Sequence, residues 1–248
     1  MSNTKNRILA IIPSFNEEES LPTTLRELMS VRPDVDIVVV DDGSTDNTAH
    51  VAKAFGVPVI SLPVNLGIGG AVQSGLHYAL RNGYDAAFQY DADGQHRPDQ
   101  IGWLVDPILR GEADMVLGSR FLKDSGYKVE PTRAAMMWLL RTLTSIAIGH
   151  KVTDNTSGFR AYGRDAIRFM TVNCSCDYPE TEAIIRLARS GHKFCEVSTS
   201  MRERVAGKSM FTPYRATYFM IRSLMALMIS TWSTPKCKVR ECAGGGKS

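Results

Sequence analysis

Short apolar runs alternate with amphipathic stretches through the first half of the chain. The runs are rich in β-branched residues and are bounded by turn residues, which is typical of buried strands. Such strands are predicted at Ile8–Ile12, Ile37–Val40, Val57–Ile60, Ala86–Phe88 and Ala113–Leu117. The segments between them space their apolar residues as a helix does, for example Leu21, Leu25 and Leu28. Strands that alternate with helices indicate an α/β fold, with a mostly parallel central sheet sandwiched by helices.

Helix ends are predicted from capping and turn residues. Asn16 is expected to cap the first helix, with Glu17–Glu19 in its first turn, and Pro98 is expected to begin a helix that continues to Leu109. In the second half the predicted elements are a polar loop at Lys123–Pro131, a helix at Thr132–Gly149, a short strand after Arg160, a helix from Tyr178, a strand at His192–Val197 and an apolar helix at Thr212–Trp232.

Two carboxylates one residue apart follow the strand that ends at Phe88. Asp91 and Asp93 come where the strand gives way to a turn at Gly94, so both side chains can reach one cation. Mg²⁺ and Mn²⁺ take oxygen ligands and share their coordination shell with substrate phosphates. The pair predicts a metal–diphosphate site, and a pair of solvated turn residues is the alternative.

Polar and glycine-rich turns also follow the second and third predicted strands. Asp41 and Asp42 end the second strand, where open α/β sheets bind ligands. A helix cap at Ser44–Asp46 would explain part of that turn but not the two carboxylates. After the third strand, Asn65–Gly70 opens a helix, and glycines there let backbone N–H groups approach a ligand. The spacing differs from the dinucleotide-binding glycine pattern, which excludes a Rossmann cofactor.

Composition narrows the class of protein. The chain has 248 residues, 44% of them hydrophobic and 22% charged, as expected of one large globular domain or of one domain with an appendage. A net charge of +3 is too small to indicate nucleic-acid binding. The N-terminus lacks the apolar core of a signal peptide. The 5 cysteines form no C-x-x-C pair, which is typical of a reducing cytosol.

An ordered set of motifs resembles a known family. The motifs are IIPSFNEEESL, VVVDDGSTDNT, NLGIGGAVQSGL, QYDADGQHRPDQI, VLGSRF, DNTSGFRAY, DYPETEAI and RERVAGKS. Together they resemble family 2 glycosyltransferases of GT-A fold, and among these the polyprenyl-phosphate glycosyltransferases related to dolichol-phosphate mannosyltransferase. The resemblance covers roughly residues 7–210 and implies a GT-A domain at residues 1–210. The residues beyond it predict an amphipathic helix at 211–234 and a disordered basic tail at 235–248.

The resemblance implies a role for each site residue. Asp91 and Asp93 would hold the metal, with Gln95 beside them near the sugar or the acceptor phosphate. Arginines would grip phosphates, because a guanidinium matches phosphate oxygens. The nucleotide pocket would comprise Pro13, Phe15, Glu17, Asp41, Asp42, Asn65, Gly67 and Asp91, and the phosphate-binding residues would be Arg120, Arg133, Arg204 and Ser209. His96 is expected to be a structural histidine, and a place in the site is its alternative.

The activity implied is an inverting, metal-dependent transfer of a sugar from a nucleotide-diphosphate sugar, with a UDP-sugar favoured. The acceptor implied is a polyprenyl phosphate such as undecaprenyl phosphate, used in surface polysaccharide or glycan assembly. One alternative is a sugar or protein hydroxyl as acceptor, which would need a general base, with Asp154 and Glu182 as candidates. A nucleotidyltransferase and a scaffold without activity are further alternatives.

The predicted helix at Thr212–Trp232 has a broad apolar face, and Arg215 and Arg222 lie opposite. That pattern favours a helix at the membrane surface over one that spans the membrane. The chain is therefore expected to be cytoplasmic and peripheral to the inner face of the cell membrane. Packing on the chain's own core, a homo-oligomer contact and docking on a small membrane protein are the alternatives.

Overall fold

The computed structural model describes residues 6–122, 131–173, 179–202, 224–225 and 240–241. The strands are β1 Ile8–Ser14, β2 Asp36–Asp41, β3 Val59–Ser61, β4 Ala86–Gln89, β5 Met115–Ser119, β6 Arg160–Gly163, β7 Lys193–Ser198 and β8 Arg240–Glu241. The α-helices are α1 Leu21–Val31, α2 Thr48–Ala54, α3 Gly67–Arg81, α4 Ile101–Leu109, α5 Pro131–Ile148, α6 Arg164–Asn173 and α7 Pro179–Arg189. A 3₁₀ turn at Pro98–Gln100 precedes α4.

The described strands form one sheet in the order β3-β2-β1-β4-β6-β5-β7-β8. Neighbouring strands are parallel except at β6, which runs antiparallel to both β4 and β5. The predicted α/β class with a mostly parallel sheet between helices is therefore confirmed. The strand β8 lies in the segment 235–248, for which the sequence predicts no regular structure.

The core lies on both faces of the sheet, because successive residues of a buried strand point to opposite sides. Leu9 and Ile11 of β1 pack in a cluster with α3, α6 and α7. Ile8, Ala10 and Ile12 pack on the other face with α1 and α4. Both faces of β1 are thus covered by apolar side chains.

Helix α3 lies close against β1, and a glycine makes the approach possible. A Cβ at Gly75 would stand 2.2 Å from Cγ2 of the buried Ile11. Gly75→Ala is expected to destabilise the protein by about 1–3 kcal/mol, because the added methyl overpacks the core. The measurement is the free energy of unfolding from urea denaturation.

Gly102 provides the matched control for this substitution. It lies in α4, and a Cβ there would meet nothing closer than a side-chain oxygen of Asp106 at 3.7 Å. Gly102→Ala should leave stability unchanged or raise it by up to about 1 kcal/mol, since alanine is the better helix former. Equal unfolding free energies for the two variants would contradict the close packing of α3 on β1.

Two observations concern the possible contact of the chain with a membrane. No helix within the described ranges is long and apolar enough to cross a bilayer. Of the predicted helix at Thr212–Trp232, only Leu224 and Met225 belong to the described residues, and both are helical. The prediction of an amphipathic surface helix therefore lies almost wholly outside the described part of the chain.

Candidate active site

The carboxyl ends of β1, β2 and β4 meet at one edge of the sheet. Ser14 at the end of β1 pairs with Asp41 at the end of β2, and Ile11 pairs with Gln89 at the end of β4. The backbone N–H of Asp42 donates to the Ser14 carbonyl at 2.8 Å. The residues that follow these strands therefore start from adjacent positions, in the place where α/β sheets bind ligands.

The loop after β1 is held by the loop after β2. Asn16 has a φ of 55°, a left-handed conformation that asparagine tolerates better than most residues. Its Oδ1 accepts a hydrogen bond from the backbone of Thr45 at 2.9 Å, and the Glu17 N–H donates to Oγ1 of Thr48 at 2.8 Å. The expectation that Asn16 caps the first helix is wrong, because α1 begins at Leu21 and the asparagine binds the neighbouring loop instead.

The two carboxylates after β2 are both buried and both bonded to backbone. Asp41 accepts from the N–H of Ser44 at 3.1 Å, and Asp42 accepts from the N–H of Leu66 at 2.7 Å. Burial raises the pKa of Asp42, and the backbone hydrogen bonds oppose that rise. Asp42 thus joins the turn after β2 to the glycine-rich turn after β3.

The turn at Gly43 needs a glycine for two reasons. Its φ is 70°, and a Cβ would stand 2.9 Å from the backbone nitrogen of Asn65. Asn65 in turn accepts from the N–H of Gly67 at 3.1 Å. The predicted nucleotide-pocket residues of the β2 and β3 turns are therefore brought together, beside Pro13, Phe15 and Glu17 at the end of β1.

Asp91 and Asp93 follow β4 at the same edge. Oδ1 of Asp91 accepts from Nε2 of Gln89 at 2.9 Å, and Oδ1 of Asp93 accepts from the N–H of Gln95 at 3.1 Å. The Asp91 side chain is 28% exposed, whereas Asp93 is buried. Gly94 has a φ of 74° and makes the turn between the aspartates and Gln95.

The side-chain oxygens of the two aspartates are of the kind that binds Mg²⁺ or Mn²⁺. Carboxylate oxygens suit hard cations, and Mg²⁺ is usually bound by one or two carboxylates with substrate phosphates completing the shell. Within the described ranges, no group of three or more histidine, cysteine or acidic side chains is placed to hold a metal by itself.

Gly158 lies against Asp91, a neighbour that the sequence pattern does not indicate. A Cβ there would stand 2.7 Å from Nε2 of Gln89 and 3.2 Å from Oδ2 of Asp91. The absence of a side chain at Gly158 therefore leaves room for the Asp91 carboxylate. In sequence, the only indication of a special role is a glycine inside the polar turn DNTSGFR. Its contact with the residues at the end of β4 arises when the chain folds and cannot be read from the local sequence.

His96 is buried behind Asp91. Its Nδ1 accepts from the backbone N–H of Asp91 at 3.1 Å, and its ring stacks on Phe159 with 4.5 Å between centroids. Burial lowers the pKa of His96 and so favours the neutral imidazole, and the nearby carboxylates of Asp91 and Asp93 oppose that fall. The expected packing role is thus accompanied by direct contact with a predicted metal ligand.

Arg120 and Asp154 form a buried ion pair. Nε of Arg120 donates to Oδ2 of Asp154 at 2.6 Å and Nη2 donates to Oδ1 at 2.8 Å, a two-pronged pairing. Nη2 also donates to Oγ1 of Thr156 at 2.8 Å. The guanidinium that was expected to grip a phosphate is therefore engaged by a carboxylate, and this pairing weakens the case for Asp154 as a general base.

A cavity of about 380 Å³ lies between this ion pair and α5. Its walls combine apolar side chains with one arginine and the polar turn before β6. The lining residues are Phe121, Ala134, Ala135, Met137, Trp138, Arg141, Thr153, Asp154 and Asn155. Such a space suits a ligand with an apolar body and an anionic end.

The structure describes the remaining predicted phosphate-binding residues only in part. Arg133 lies in the first turn of α5, and its side chain is outside the described set. Arg204 and Ser209 also lie outside the described residues. The segment that leads to them is tied to the aspartate turn, because the N–H of Arg202 donates to the Gln95 carbonyl at 3.0 Å.

Comparison with known proteins gives a family match and close relatives. The model of glycosyl transferase family 2 matches residues 9–170. Undecaprenyl-phosphate mannosyltransferase of Micrococcus luteus is 36% identical over 82% of this chain and 86% of the relative. UDP-N-acetylglucosamine--dolichyl-phosphate N-acetylglucosaminyltransferase of Methanococcus voltae is 32% identical over 86% of this chain and 91% of the relative. Polyprenol monophosphomannose synthase of Mycolicibacterium smegmatis is 32% identical, over 82% and 80%.

Solved structures share the fold. Glucosyl-3-phosphoglycerate synthase of Mycobacterium tuberculosis, in complex with Mn²⁺, UDP and glucosyl-3-phosphoglycerate, superposes with a TM-score of 0.66. The match covers 93% of this chain and 81% of that chain at 22% identity. At that identity the likeness establishes the architecture, and it leaves the ligands as properties of the other protein.

Proposed function

The chain belongs to glycosyl transferase family 2, and from that premise we propose that it transfers a sugar from a nucleotide-diphosphate sugar to a polyprenyl phosphate. The predicted family, GT-A fold and glycosyltransferase activity are confirmed by the family match, the relatives and the solved structure. The relatives act, by their names, with undecaprenyl phosphate, polyprenol or dolichyl phosphate, which supports this class of acceptor. These relatives leave the nucleotidyltransferase and scaffold alternatives without support.

The observation that carries the proposal is the meeting of two acidic pairs at one sheet edge. Asp41 ends β2 and Asp42 follows it, Asp91 and Asp93 follow β4, and β1 lies between the two strands. We assign the nucleoside to the turns after β1, β2 and β3, and the diphosphate to the aspartates after β4. The solved structure with UDP and Mn²⁺ supports a uridine donor and a divalent cation.

The chemistry needs stabilisation of charge on the leaving nucleotide. A bound Mg²⁺ or Mn²⁺ would supply that stabilisation, held by Asp91 and Asp93. The buried Asp93 and the hydrogen-bonded Asp91 keep their orientation before donor binding, which lowers the reorganisation needed in the transition state. Direct attack of the acceptor oxygen on the opposite side of the anomeric carbon inverts its configuration.

We assign the cavity beside the Arg120–Asp154 pair to the acceptor. Met137 and Trp138 offer apolar contact for the first isoprene unit, and Arg141 offers a cation for the phosphate. Arg133 begins the same helix, and with Arg204 and Ser209 it remains in the proposed phosphate-binding set.

A phosphate acceptor also agrees with the state of the two candidate bases. Asp154 accepts from Arg120, and Glu182 is ion-paired with Arg186 at 2.6 Å. A hydroxyl acceptor would need one of these carboxylates to take a proton. A phosphate oxygen is already ionised near neutral pH and attacks without that help, so the lipid phosphate is preferred to a sugar or protein hydroxyl.

A polyprenyl-phosphate acceptor lies in a membrane, so the proposed reaction takes place at a membrane surface. We propose that the chain acts at the cytoplasmic face of the cell membrane, held by the membrane surface or by a small membrane-protein partner. An association between copies of the chain is the alternative role of the segment 211–234. The product would serve surface polysaccharide or glycan assembly.

The proposal is tested by incubating the protein with a panel of labelled nucleotide sugars, Mg²⁺ or Mn²⁺, and undecaprenyl phosphate. We expect one sugar to pass to the lipid phosphate and none to pass to the matched alcohol, undecaprenol. The alcohol has the same chain, so it controls for binding of the isoprenoid. Equal transfer to phosphate and alcohol would show that the phosphate oxygen is not the nucleophile.

A further inference from the structure

His96 meets Asp91 at two points. Nδ1 accepts the Asp91 backbone N–H at 3.1 Å, and Nε2 lies 3.4 Å from Oδ2 of the same residue. A ring nitrogen that accepts a hydrogen bond has no proton of its own, so the proton of the neutral imidazole is on Nε2. The N–H at Nε2 therefore lies near the Asp91 carboxylate. Within the described part of the chain, Nε2 is buried and makes no hydrogen bond, and Oδ2 of Asp91 at 3.4 Å is an acceptor that a small adjustment would bring into range.

The orientation of the ring is fixed by aromatic neighbours. Phe159 stacks on the imidazole at 4.5 Å with 27° between the planes, and Tyr90 meets it edge-on at 5.5 Å. The Tyr90 hydroxyl also donates to the carbonyl of His96 at 2.9 Å. Rotation of the ring would break the ring contacts with Phe159 and Tyr90, so Nε2 stays beside Asp91.

Three neighbouring residues determine how much of the Asp91 carboxylate is covered. Nε2 of Gln89 donates to Oδ1 at 2.9 Å, and His96 approaches Oδ2. Gly158 presents no side chain where a Cβ would stand 3.2 Å from Oδ2. The carboxylate thus keeps an open side, consistent with its 28% exposure.

We propose that His96 is a positioning residue for the metal ligand Asp91: its buried Nε2–H, which has no hydrogen-bond partner among the described residues, pairs with the nearby Oδ2 when the cation is bound, so that the open side of the carboxylate faces the cation. The inference rests on the proposed function, because it requires a divalent cation at Asp91. Partners of this kind fix the orientation of a ligating group and typically contribute about 10–100-fold to metal affinity. The proposal explains why a histidine, rather than an apolar side chain, occupies a buried place between Tyr90 and Phe159.

Two substitutions of His96 distinguish the role of Nδ1 from that of Nε2. In His96→Asn the amide oxygen can replace Nδ1 and accept the Asp91 N–H, but the donor at Nε2 is lost. In His96→Gln the longer amide can place an N–H near the position of Nε2. We expect His96→Asn to weaken Mn²⁺ binding in the presence of UDP by about 10–100-fold, measured by electron paramagnetic resonance. His96→Gln should recover most of that loss.

Tyr90→Phe is the matched control. It removes the hydroxyl that bonds the His96 carbonyl and leaves both the ring and Nε2 in place. We expect unchanged Mn²⁺ affinity with a small loss of thermal stability. Mn²⁺ affinity of His96→Asn equal to that of the unmodified protein would overturn the inference. Unmodified protein that binds Mn²⁺ no better than Asp91→Ala would instead overturn the metal site of the proposed function.

A second measurement applies to the unmodified protein and does not depend on the folding of the variants. Long-range ¹H–¹⁵N NMR should show His96 with its proton on Nε2, with Tyr90→Phe used to assign its signals. Addition of Mg²⁺ with UDP should shift the Nε2 signal more than UDP alone, since the cation draws on the carboxylate that Nε2 faces. A proton on Nδ1, or an Nε2 signal that ignores Mg²⁺, would overturn the inference.

Discussion

Replacement of Asp91 or Asp93 by alanine is expected to reduce turnover by two orders of magnitude or more. Each change removes one proposed metal ligand and part of the stabilisation of the leaving diphosphate. A loss of about 3 kcal/mol or more of such stabilisation lowers the rate over a hundredfold. The measurement is kcat for sugar transfer to undecaprenyl phosphate, together with circular dichroism to show that the fold is retained.

The neighbouring Asp99 provides the control for these two variants. It lies in the 3₁₀ turn after the aspartate pair, and its side chain is 53% exposed and ion-paired with Arg97. Asp99→Ala removes a negative charge from the same region without touching the proposed ligands, so kcat should stay near that of the unmodified protein. Near-normal turnover in both Asp91→Ala and Asp93→Ala would contradict the metal assignment.

The positions of the residues proposed to bind the donor follow largely from sequence, because these residues come at or directly after the ends of strands. A strand that ends in Asp41 or precedes Asp91 places those residues at the carboxyl edge of the sheet, whatever the details of packing. The order of the strands then brings the two pairs to the same edge. Local pattern and topology together were sufficient to predict which residues cluster there.

Other features depend on contacts between distant parts of the chain. Asn16 looks like a helix cap in sequence, but the loop after β2 offers its side chain a competing partner at Thr45. The pairing of Arg120 with Asp154 joins residues 34 positions apart, and nothing local to either residue indicates it. The need for a glycine at position 158 becomes visible only when the turn before β6 is placed against Asp91.

The direction of β6 and the existence of α6 were not predicted, for different physical reasons. The short β6 was predicted, but its antiparallel direction follows from its insertion between β4 and β5. The helix α6 was not predicted, although Ala166, Ile167 and Met170 form a buried helical face. That second omission was a failure to use a periodicity that the sequence contains, whereas the direction of β6 requires the assembled sheet.

Loss of Asp154 is expected to cause the largest fall in stability among the substitutions considered. Both members of its ion pair with Arg120 are buried, with side-chain exposures of 6% for the arginine and 0% for the aspartate. Asp154→Ala leaves the guanidinium buried without its carboxylate, which costs about 3–5 kcal/mol in comparable cases. The free energy of unfolding in urea is the measurement.

The double variant Arg120→Met/Asp154→Leu tests whether that cost comes from the unpaired charge. With both charges gone, the free energy of unfolding should recover much of the loss, because replacing a buried ion pair by apolar residues is often neutral. Arg110→Ala is the exposed counterpart: it breaks the surface pair with Glu112 and should leave the urea midpoint almost unchanged. A double variant as unstable as Asp154→Ala would show that the packing or hydrogen bonds of Asp154, rather than its charge on Arg120, stabilise the turn beside the proposed acceptor cavity.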